Sequence, residues 1–487
     1  MKKLISFSII ALMGLTAVAQ HEYLHIYRND KSFTSQKVSD IEKLNFKSLQ
    51  WDDNENALEI VTGDGTVTVP HNVVDSTVVG RYVPIFYVNL IDYPDWTDLK
   101  KDATHTKSTV YAAKLSMDGN GFFDDIPETE VEFRGRGNST WNMAKTPYRF
   151  KLPKKNSVCG LPKAKSFALI ANYIDCSLMR NTIALKVANM LEMPFSNHCV
   201  PVAVYFNGHY KGAYMLTEKI GIGGGSVDID ENKGILFEFD SNYDEDYKFT
   251  YYFNNGQKKL YVMVKDPDLT EIAAADETGA TTANGLFEGW KEDVTVMLDA
   301  VTSRSASESL SDVLDLESVA NFLIVNNIAR NHELEHPKSF YTYKEEKGTE
   351  YKYHFGPVWD FDWAFTFDGK EGAPSREPLF RNDGDAAGAT FFKKICSNEE
   401  FRAIYEKKWN EFVTTHYPLL LEYLDEYANH LEPSAIENGT IWPADHSVSW
   451  RQSECSFEFR KNYATLIEWL KDRVDYISTH ENFGLYE

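Results

Sequence analysis

Residues 130–152 leave the chain few ways to fold. Glu130 to Arg134 reads as a strand that delivers the run Phe133-Arg-Gly-Arg-Gly-Asn-Ser-Thr-Trp141, and Lys145-Thr-Pro-Tyr-Arg-Phe-Lys-Leu152 follows as a second strand. Side chains alternate along a strand, so Tyr148, Phe150 and Leu152 share one face and Arg149 and Lys151 the other. Between the strands, Gly135 and Gly137 free the backbone to approach an anion. Arg134 and Arg136 add charge, and Asn138, Ser139 and Thr140 add donors, which together can form an anion-binding nest. The letters fit neither a Walker A loop nor a strict G-x-G-x-x-G, and a plain tight turn with Trp141 in a core fits them too.

A second segment, Gly356-Pro-Val-Trp-Asp-Phe-Asp-Trp363, sets two carboxylates among bulky aromatics. Read as a strand, it points Asp360 and Asp362 the same way. Carboxylates against aromatic walls are costly unless they hold a cation or an arginine. The alternative is a structural aspartate pair capping a turn. Lys151, at the end of an alternating strand after a glycine loop, stands where a phosphate-binding cation is placed in phosphoryl transfer; Lys145 and Arg149 compete for the role. Glu218, ending Gly212-Ala-Tyr-Met-Leu-Thr-Glu218, could pair with that lysine or hold a metal.

Around this centre the chain is ordered by type. Val83–Leu90 and Val110–Leu115 read as strands, and Asp118-Gly-Asn-Gly121 as a hairpin turn that lacks the later ligands of a calcium loop. Arg180–Leu191 has helical spacing. Val200–Phe206 and Gly212–Thr217 are strands joined by Asn207-Gly208. Residues 221–234 and 266–290 read as loop-rich, Val313–Asn331 as a helix, and Tyr341–Lys344 and Tyr351–Phe355 as a strand pair. Glu399–His416, Leu419–Leu431 and Tyr463–Ile477 read as helices. Strands first and helices later predict an α+β fold with a strand-rich and a helix-rich lobe, and a cleft between them as the ligand site. Residues 21–80, with alternating His21–Tyr27 and Leu58–Thr62, read as a separate small β-rich module.

The N-terminus predicts export. Lys2 and Lys3 precede an apolar run, Leu4–Leu15, and Ala17-Val-Ala19 is a cleavage site that starts the mature chain at Gln20, with no cysteine there to carry a lipid. No run reaches the roughly 18 apolar residues of a membrane span. The expectation is a protein secreted, periplasmic or held at the cell surface. Its formal charge of −23, or −25 without Lys2 and Lys3, argues against nucleic acid as a partner. Five cysteines match no zinc pattern, their odd number leaves one thiol unpaired or intermolecular, and most are expected to be buried free thiols. His332-Glu-Leu-Glu-His336 spells the zinc-hydrolase motif, but Pro337 biases His336 away from the helical geometry that motif needs.

Several of these motifs, in this order, resemble the CotH family of atypical protein kinases: Arg136-Gly-Asn-Ser-Thr-Trp141, the strand to Leu152, Asp175 with Arg180-Asn181, Gly212 to Glu218, His336-Pro-Lys-Ser339 and Gly356 to Asp362. The similarity runs from about Tyr87 to Ile477. The residues before it resemble the short N-terminal modules of secreted Bacteroidetes proteins. The resemblance implies an atypical, two-lobed kinase-like domain over 83–487, after a signal peptide at 1–19 and the module at 20–82. It also implies phosphate transfer from ATP, with Mg or Mn, to protein hydroxyls, as in family members that act on spore coat proteins. Carried over, Arg136, Gly137, Asn138, Ser139, Lys151 and Glu218 would bind nucleotide, and Asp360 with Asp362 would bind metal. The catalytic-loop aspartate is missing, and Glu333 stands nearest its place; the asparagine expected before the next strand reads Ser339. That departure, with export to where ATP is scarce, keeps a second expectation open. It is a non-catalytic kinase-like scaffold at the surface that binds a nucleotide, a glycan or a protein.

Overall fold

The computed structural model describes residues 23–28, 33–37, 41–47, 57–70, 74–80, 83–99, 106–120, 122–367, 373–381, 386–443, 455–456 and 458–486. The expected signal segment lies outside them. Six short strands open the chain: β1 (Tyr23–Arg28), β2 (Phe33–Lys37), β3 (Ile41–Lys47), β4 (Ala57–Thr62), β5 (Gly65–Pro70) and β6 (Val74–Gly80). They pair as two three-stranded sheets, β2-β1-β6 and β3-β4-β5. Leu24, Ile26, Leu58, Ile60 and Val69 form a small core of their own, so the β-rich module is present.

The next seven strands close on themselves. They are β7 (Ile85–Leu90), β8 (Tyr111–Asp118), β9 (Ile126–Gly135), β10 (Tyr148–Asn156), β11 (Ala164–Ile170), β12 (Val200–Phe206) and β13 (His209–Glu218). Around the barrel the order is β10-β11-β13-β12-β7-β8-β9. Only β7 and β12 run parallel. Closure removes the unpaired edges of an open sheet. The alternation in the sequence drives it: in β8 the odd-numbered residues Tyr111 to Met117 are buried and the even-numbered ones face outward. Aromatic rings fill the inside, with Phe133 5.0 Å from Tyr148 and Phe150 5.5 Å from Phe167. At the β12–β13 turn, Asn207 (φ 46°) and Gly208 (φ 78°) adopt the left-handed pair that a two-residue hairpin needs.

One helix, α1 (Arg180–Met190), interrupts the barrel strands, and a second sheet follows them. That sheet has the order β15-β16-β14-β17-β18, from β14 (Ile235–Phe239), β15 (Lys248–Phe253), β16 (Lys258–Asp266), β17 (Phe340–Lys344) and β18 (His354–Phe355). The helices α2 (Leu269–Ala274), α3 (Gly279–Ser303) and α4 (Leu316–Ala329) separate β16 from β17, and α5 (Ala387–Cys396), α6 (Glu399–Glu411), α7 (Tyr417–Ile441) and α8 (Phe459–Thr479) complete the chain. They share one large core with the second sheet, distinct from the barrel core.

Two expectations need correction here. Residues 266–290 are largely helical rather than loop-rich. The small residues Gly279 and Ala283 are buried at the start of α3; they pack by close approach and leave no apolar stripe to read. Strands and helices are also interleaved rather than segregated, since β17 and β18 return to the sheet after α4 has crossed the core. The α+β mixture itself is as expected. Of the five cysteines, Cys176 and Cys455 form a disulfide, tying the turn before α1 to the segment before α8. Cys159 and Cys396 are buried free thiols, and Cys199 is half-buried.

Candidate functional site

The glycine loop joins β9 to β10 as a tight, internally packed connection. Trp141 folds back over Gly135 so closely that a Cβ there would lie 1.9 Å from its ring. Gly137 has φ +84°, a conformation that L side chains avoid. The Arg136 amide donates to the carbonyl of Pro147 at 3.1 Å. Asn138 and Ser139 are exposed, and Asn138 accepts a hydrogen bond from Lys107. Arg136 points the other way. Its guanidinium lies 4.9 Å from the ring centre of Trp359, and its Nη1 is buried without a hydrogen-bond partner. Burial lowers its pKa, against the pull of Asp360, Tyr341 and Asp362.

The loop of residues 356–367 supplies the acids. It is not the strand the sequence predicted. Asp360 sits in the left-handed region at φ +65°, and the two aspartates part company there. Asp360 is open to solvent, whereas Asp362 is 5% exposed. Asp362 is held by α1: its Oδ1 accepts from Asn181 Nδ2 at 2.6 Å, and Arg180 Nη1 donates to its carbonyl at 3.0 Å. Asn181 Oδ1 accepts the Phe361 amide at 2.9 Å. Arg180 is fixed in turn through Thr366 Oγ1 at 3.0 Å, and its backbone amide donates to Asp175 Oδ2 at 2.8 Å. The Phe365 amide donates to the carbonyl of Ala329 at the end of α4, at 2.6 Å.

Other elements add carboxylates to the same field. Asp240 follows β14 and accepts the amides of Asn242 at 2.7 Å and Ser339 at 3.2 Å. Glu333 lies in the single 3₁₀ turn His332–Glu335 after α4, with Lys338 Nζ 3.8 Å away. Burial, then Asp360, Asp240 and Asp362, push Glu333 up to about 8, against Lys338. Burial and the Asp360 charge push Asp362 up to about 7, burial pushes Asp240 up to about 6, and burial also raises Asp360 against the opposing charges of Arg136 and Lys338. Each of these carboxylates is harder to ionise because burial and its acidic neighbours disfavour the charged form.

A family model described as CotH kinase protein matches residues 133–477. The chain belongs to the CotH kinase family. Comparison with curated proteins gives no match. The matched span opens at the glycine loop and ends inside α8, so it contains both loops described above but neither the β-rich module nor strands β7 and β8.

Not every residue expected of a CotH site comes to this one. Lys151 lies on the outer face of the barrel, 43% exposed, with Nζ 3.4 Å from Glu132 of the neighbouring strand. Glu218 is buried, and its carboxylate takes the His198 amide at 2.9 Å and the His198 ring at 2.6 Å. Arg149, which competed with Lys151 in the sequence, is 3.2 Å from Ser166 Oγ and feels the charges of Arg134 and Arg136. The roles of Asn181 and Arg180 as clamps on Asp362 had no local signal beyond their place in the family pattern. Asp240 had none at all, because β14 is buried at every position and offers no alternation to read.

The zinc-hydrolase spelling does not build its site. His332 is in a 3₁₀ turn, and His336 has already left it at φ −125°, ψ 80°, so the two rings do not share one α-helical face. Among the described residues no three His, Cys, Asp or Glu side chains group as a metal cage. Magnesium is usually held by one or two carboxylates plus the phosphates of its substrate. Asp360 and its neighbours are hard oxygen donors, the donor type such an ion takes. Among the described residues no helix is long and apolar enough to cross a membrane.

Proposed function

We propose that this CotH-family protein is an exported atypical protein kinase, two-lobed in the kinase manner, that transfers the terminal phosphate of ATP to a protein hydroxyl with Mg or Mn. One observation supports this reading: the two loops meet, with the Arg136 guanidinium of the glycine loop 4.9 Å from the ring centre of Trp359, the residue before Asp360, and Arg136 and Asp360 feel each other's charge. Arg136, with a buried donor unused, would grip phosphate through charge-assisted hydrogen bonds. Asp360 would hold the ion, with Asp362 behind it kept in place by Asn181. The ion, when bound, would neutralise charge building on the phosphate oxygens. Glu333 would orient the acceptor hydroxyl and receive its proton. At about 8 its pKa keeps it protonated at neutral pH, so it takes that role only after added positive charge has lowered the value.

The scaffold reading is supported by that same residue. Glutamate in place of aspartate moves the carboxylate by about an ångström, and misplacement on that scale can cost a hundredfold. Labelling of acceptor proteins with ATP and Mn²⁺, in wild type, Asp360→Ala and Glu333→Gln, tests the proposal. Phosphotransfer should be lost with Asp360→Ala and reduced less with Glu333→Gln, because loss of the metal ligand removes the larger electrostatic contribution. No labelling in wild type, together with no rise in melting temperature on adding nucleotide, would leave the scaffold as the better account.

A further inference from the structure

Just beyond the glycine loop, the barrel gathers positive charge that Lys151 does not explain. Arg134 on β9 and Arg149 on β10 are direct cross-strand partners. Their inward neighbours Phe133, Tyr148 and Phe150 are buried in the barrel core, so both arginines stand on its outer face. Like charges directly opposite in a sheet are destabilising. Lys219 joins them: it follows Glu218, the strand partner of Phe167 on β11, and feels the charges of Arg149 and Arg134. Arg136 continues the group toward Asp360 and feels Arg134 as well.

Opposing charge is thin here. Glu132 is engaged by Lys151. Asp266 acts on Lys219, but its Oδ2 is occupied by the Ile222 amide at 2.9 Å. Among the described residues neither Arg134 nor Lys219 makes a side-chain hydrogen bond or an ion pair. Burial with neighbouring cations brings Arg149 down to about 10 and Lys219 to about 8. An independent sign comes from Arg136, whose buried Nη1 donates to nothing. In a chain of formal charge −23, four cations gathered at one spot with so little opposing charge repel one another, and a bound anion would relieve that repulsion.

We infer that Arg134, Arg149 and Lys219, continuing from Arg136, form a phosphate subsite of the candidate active site, and that Lys151 is not part of it. The ligand chemistry is a phosphate group with two or more charges. It can come from the nucleotide or from an acceptor segment that is already phosphorylated. The inference rests on the kinase-like reading for the identity of those sources, but not for the existence of the cation cluster.

The test is calorimetric titration of the full chain with pyrophosphate, ATP, and a phosphoserine peptide beside its unphosphorylated form. The variants are Arg149→Gln, Lys219→Met and, for contrast, Lys151→Met. Pyrophosphate binding should weaken about tenfold or more with Arg149→Gln and with Lys219→Met, as loss of a charge-assisted contact predicts, and should stay near wild type with Lys151→Met. Competition of pyrophosphate by ATP but not by the phosphopeptide assigns the subsite to nucleotide; the reverse assigns it to a phosphorylated acceptor. Removing one of two facing cations should leave the unliganded melting temperature unchanged or higher, which separates lost binding from lost folding. The inference is overturned if wild type binds none of the three phosphate compounds, if the Arg149 and Lys219 variants bind pyrophosphate as wild type does, or if Lys151→Met is equally damaging. Phosphotransfer unaffected by both subsite variants would remove the subsite and keep the kinase. Pyrophosphate binding lost in both variants, without any transfer in wild type, would do the opposite.

Discussion

The glycine loop after β9 and the acidic loop after β18 meet at one site, yet they are held in opposite ways. The first is local. Its ends are fixed by the pairing of β9 with β10, its middle by Trp141 on Gly135, and all of this lies within some twenty residues of sequence. The second is held from afar. Asn181 and Arg180, about 180 residues earlier, hold the Asp362 end, while Ala329 at the end of α4 takes the Phe365 amide. The difference follows from charge. A strand surface gives each arginine a place beside water, and its register needs no help from the charged group. Carboxylates drawn into a protein interior lose hydration, so they need donors aimed at them, and a loop cannot provide those alone.

The largest expected effect falls on the acidic side. Asp360→Ala should lower Mn²⁺-dependent phosphotransfer by about a thousandfold, with the melting temperature of the unliganded protein unchanged or raised, since a like charge beside Asp362 is gone. A clear fall in melting temperature would mean that Asp360 supports the loop as Asp362 does, and the division between the two aspartates would fail.

Next is the long-range clamp. Asn181→Ala leaves the Phe361 amide and the buried Asp362 carboxylate short of a partner each, a loss of about 3 kcal/mol. Denaturant unfolding should show it, and any nucleotide-dependent Mn²⁺ affinity should fall with it. Full retention of both would break the comparison, because the acidic loop would then hold itself.

The local side should yield less. Gly135→Ala pushes a methyl into the Trp141 ring, and overpacking of this kind costs about 1–3 kcal/mol. Gly137→Ala, at φ +84°, should cost about 1–2 kcal/mol. If the Gly135 variant lost more stability than Asn181→Ala, the glycine loop would be the more demanding of the two structures.

The smallest effect is a slope with pH. Glu333, Asp362 and Asp240 have pKa values raised to about 8, about 7 and about 6. The folded chain therefore keeps protons that the unfolded chain releases. The stability this contributes is full below the ordinary carboxylate range and is lost as pH rises toward 8. The unliganded protein should melt lower at pH 8 than at pH 5.5. Glu333→Gln should flatten that slope, and Mn²⁺ with ATP should offset it. An identical slope in the variant would remove Glu333 from the shared field.

Much of the frame was readable because it is periodic. The alternation of Tyr148, Phe150 and Leu152 placed β10 and its outward basic residues. The spacing of Leu466, Leu470, Val474 and Ile477 placed α8. Asn207-Gly208 placed the β12–β13 hairpin. Where periodicity was absent the reading failed. β14 is buried on every side chain, the start of α3 packs through glycine and alanine, and the loop at 356–367 took the spacing of its aspartates for that of a strand. Lys151 and Arg149 sit on the same face of β10, two residues apart, and pattern could not choose between them. Their cross-strand partners differ: Glu132 lies across from Lys151, and Arg134 across from Arg149.

The sequence by itself determined the small β-rich module, the α+β mixture, the order of the family's motifs, and the residue types, cation-rich near Gly137 and acidic near Asp360, that the site would use. These follow from neighbours along the chain, whose spacing dictates which face is apolar and which residues can turn. Only the tertiary structure decided that the first large set of strands closes into a barrel, that Asp360 is open while Asp362 is clamped by Asn181, that Glu218 is taken by His198, and that Arg136 and Glu333 both feel the charge of Asp360. Each of these depends on which distant groups share a low-dielectric space. Coulomb forces and desolvation act through that space, not along the chain.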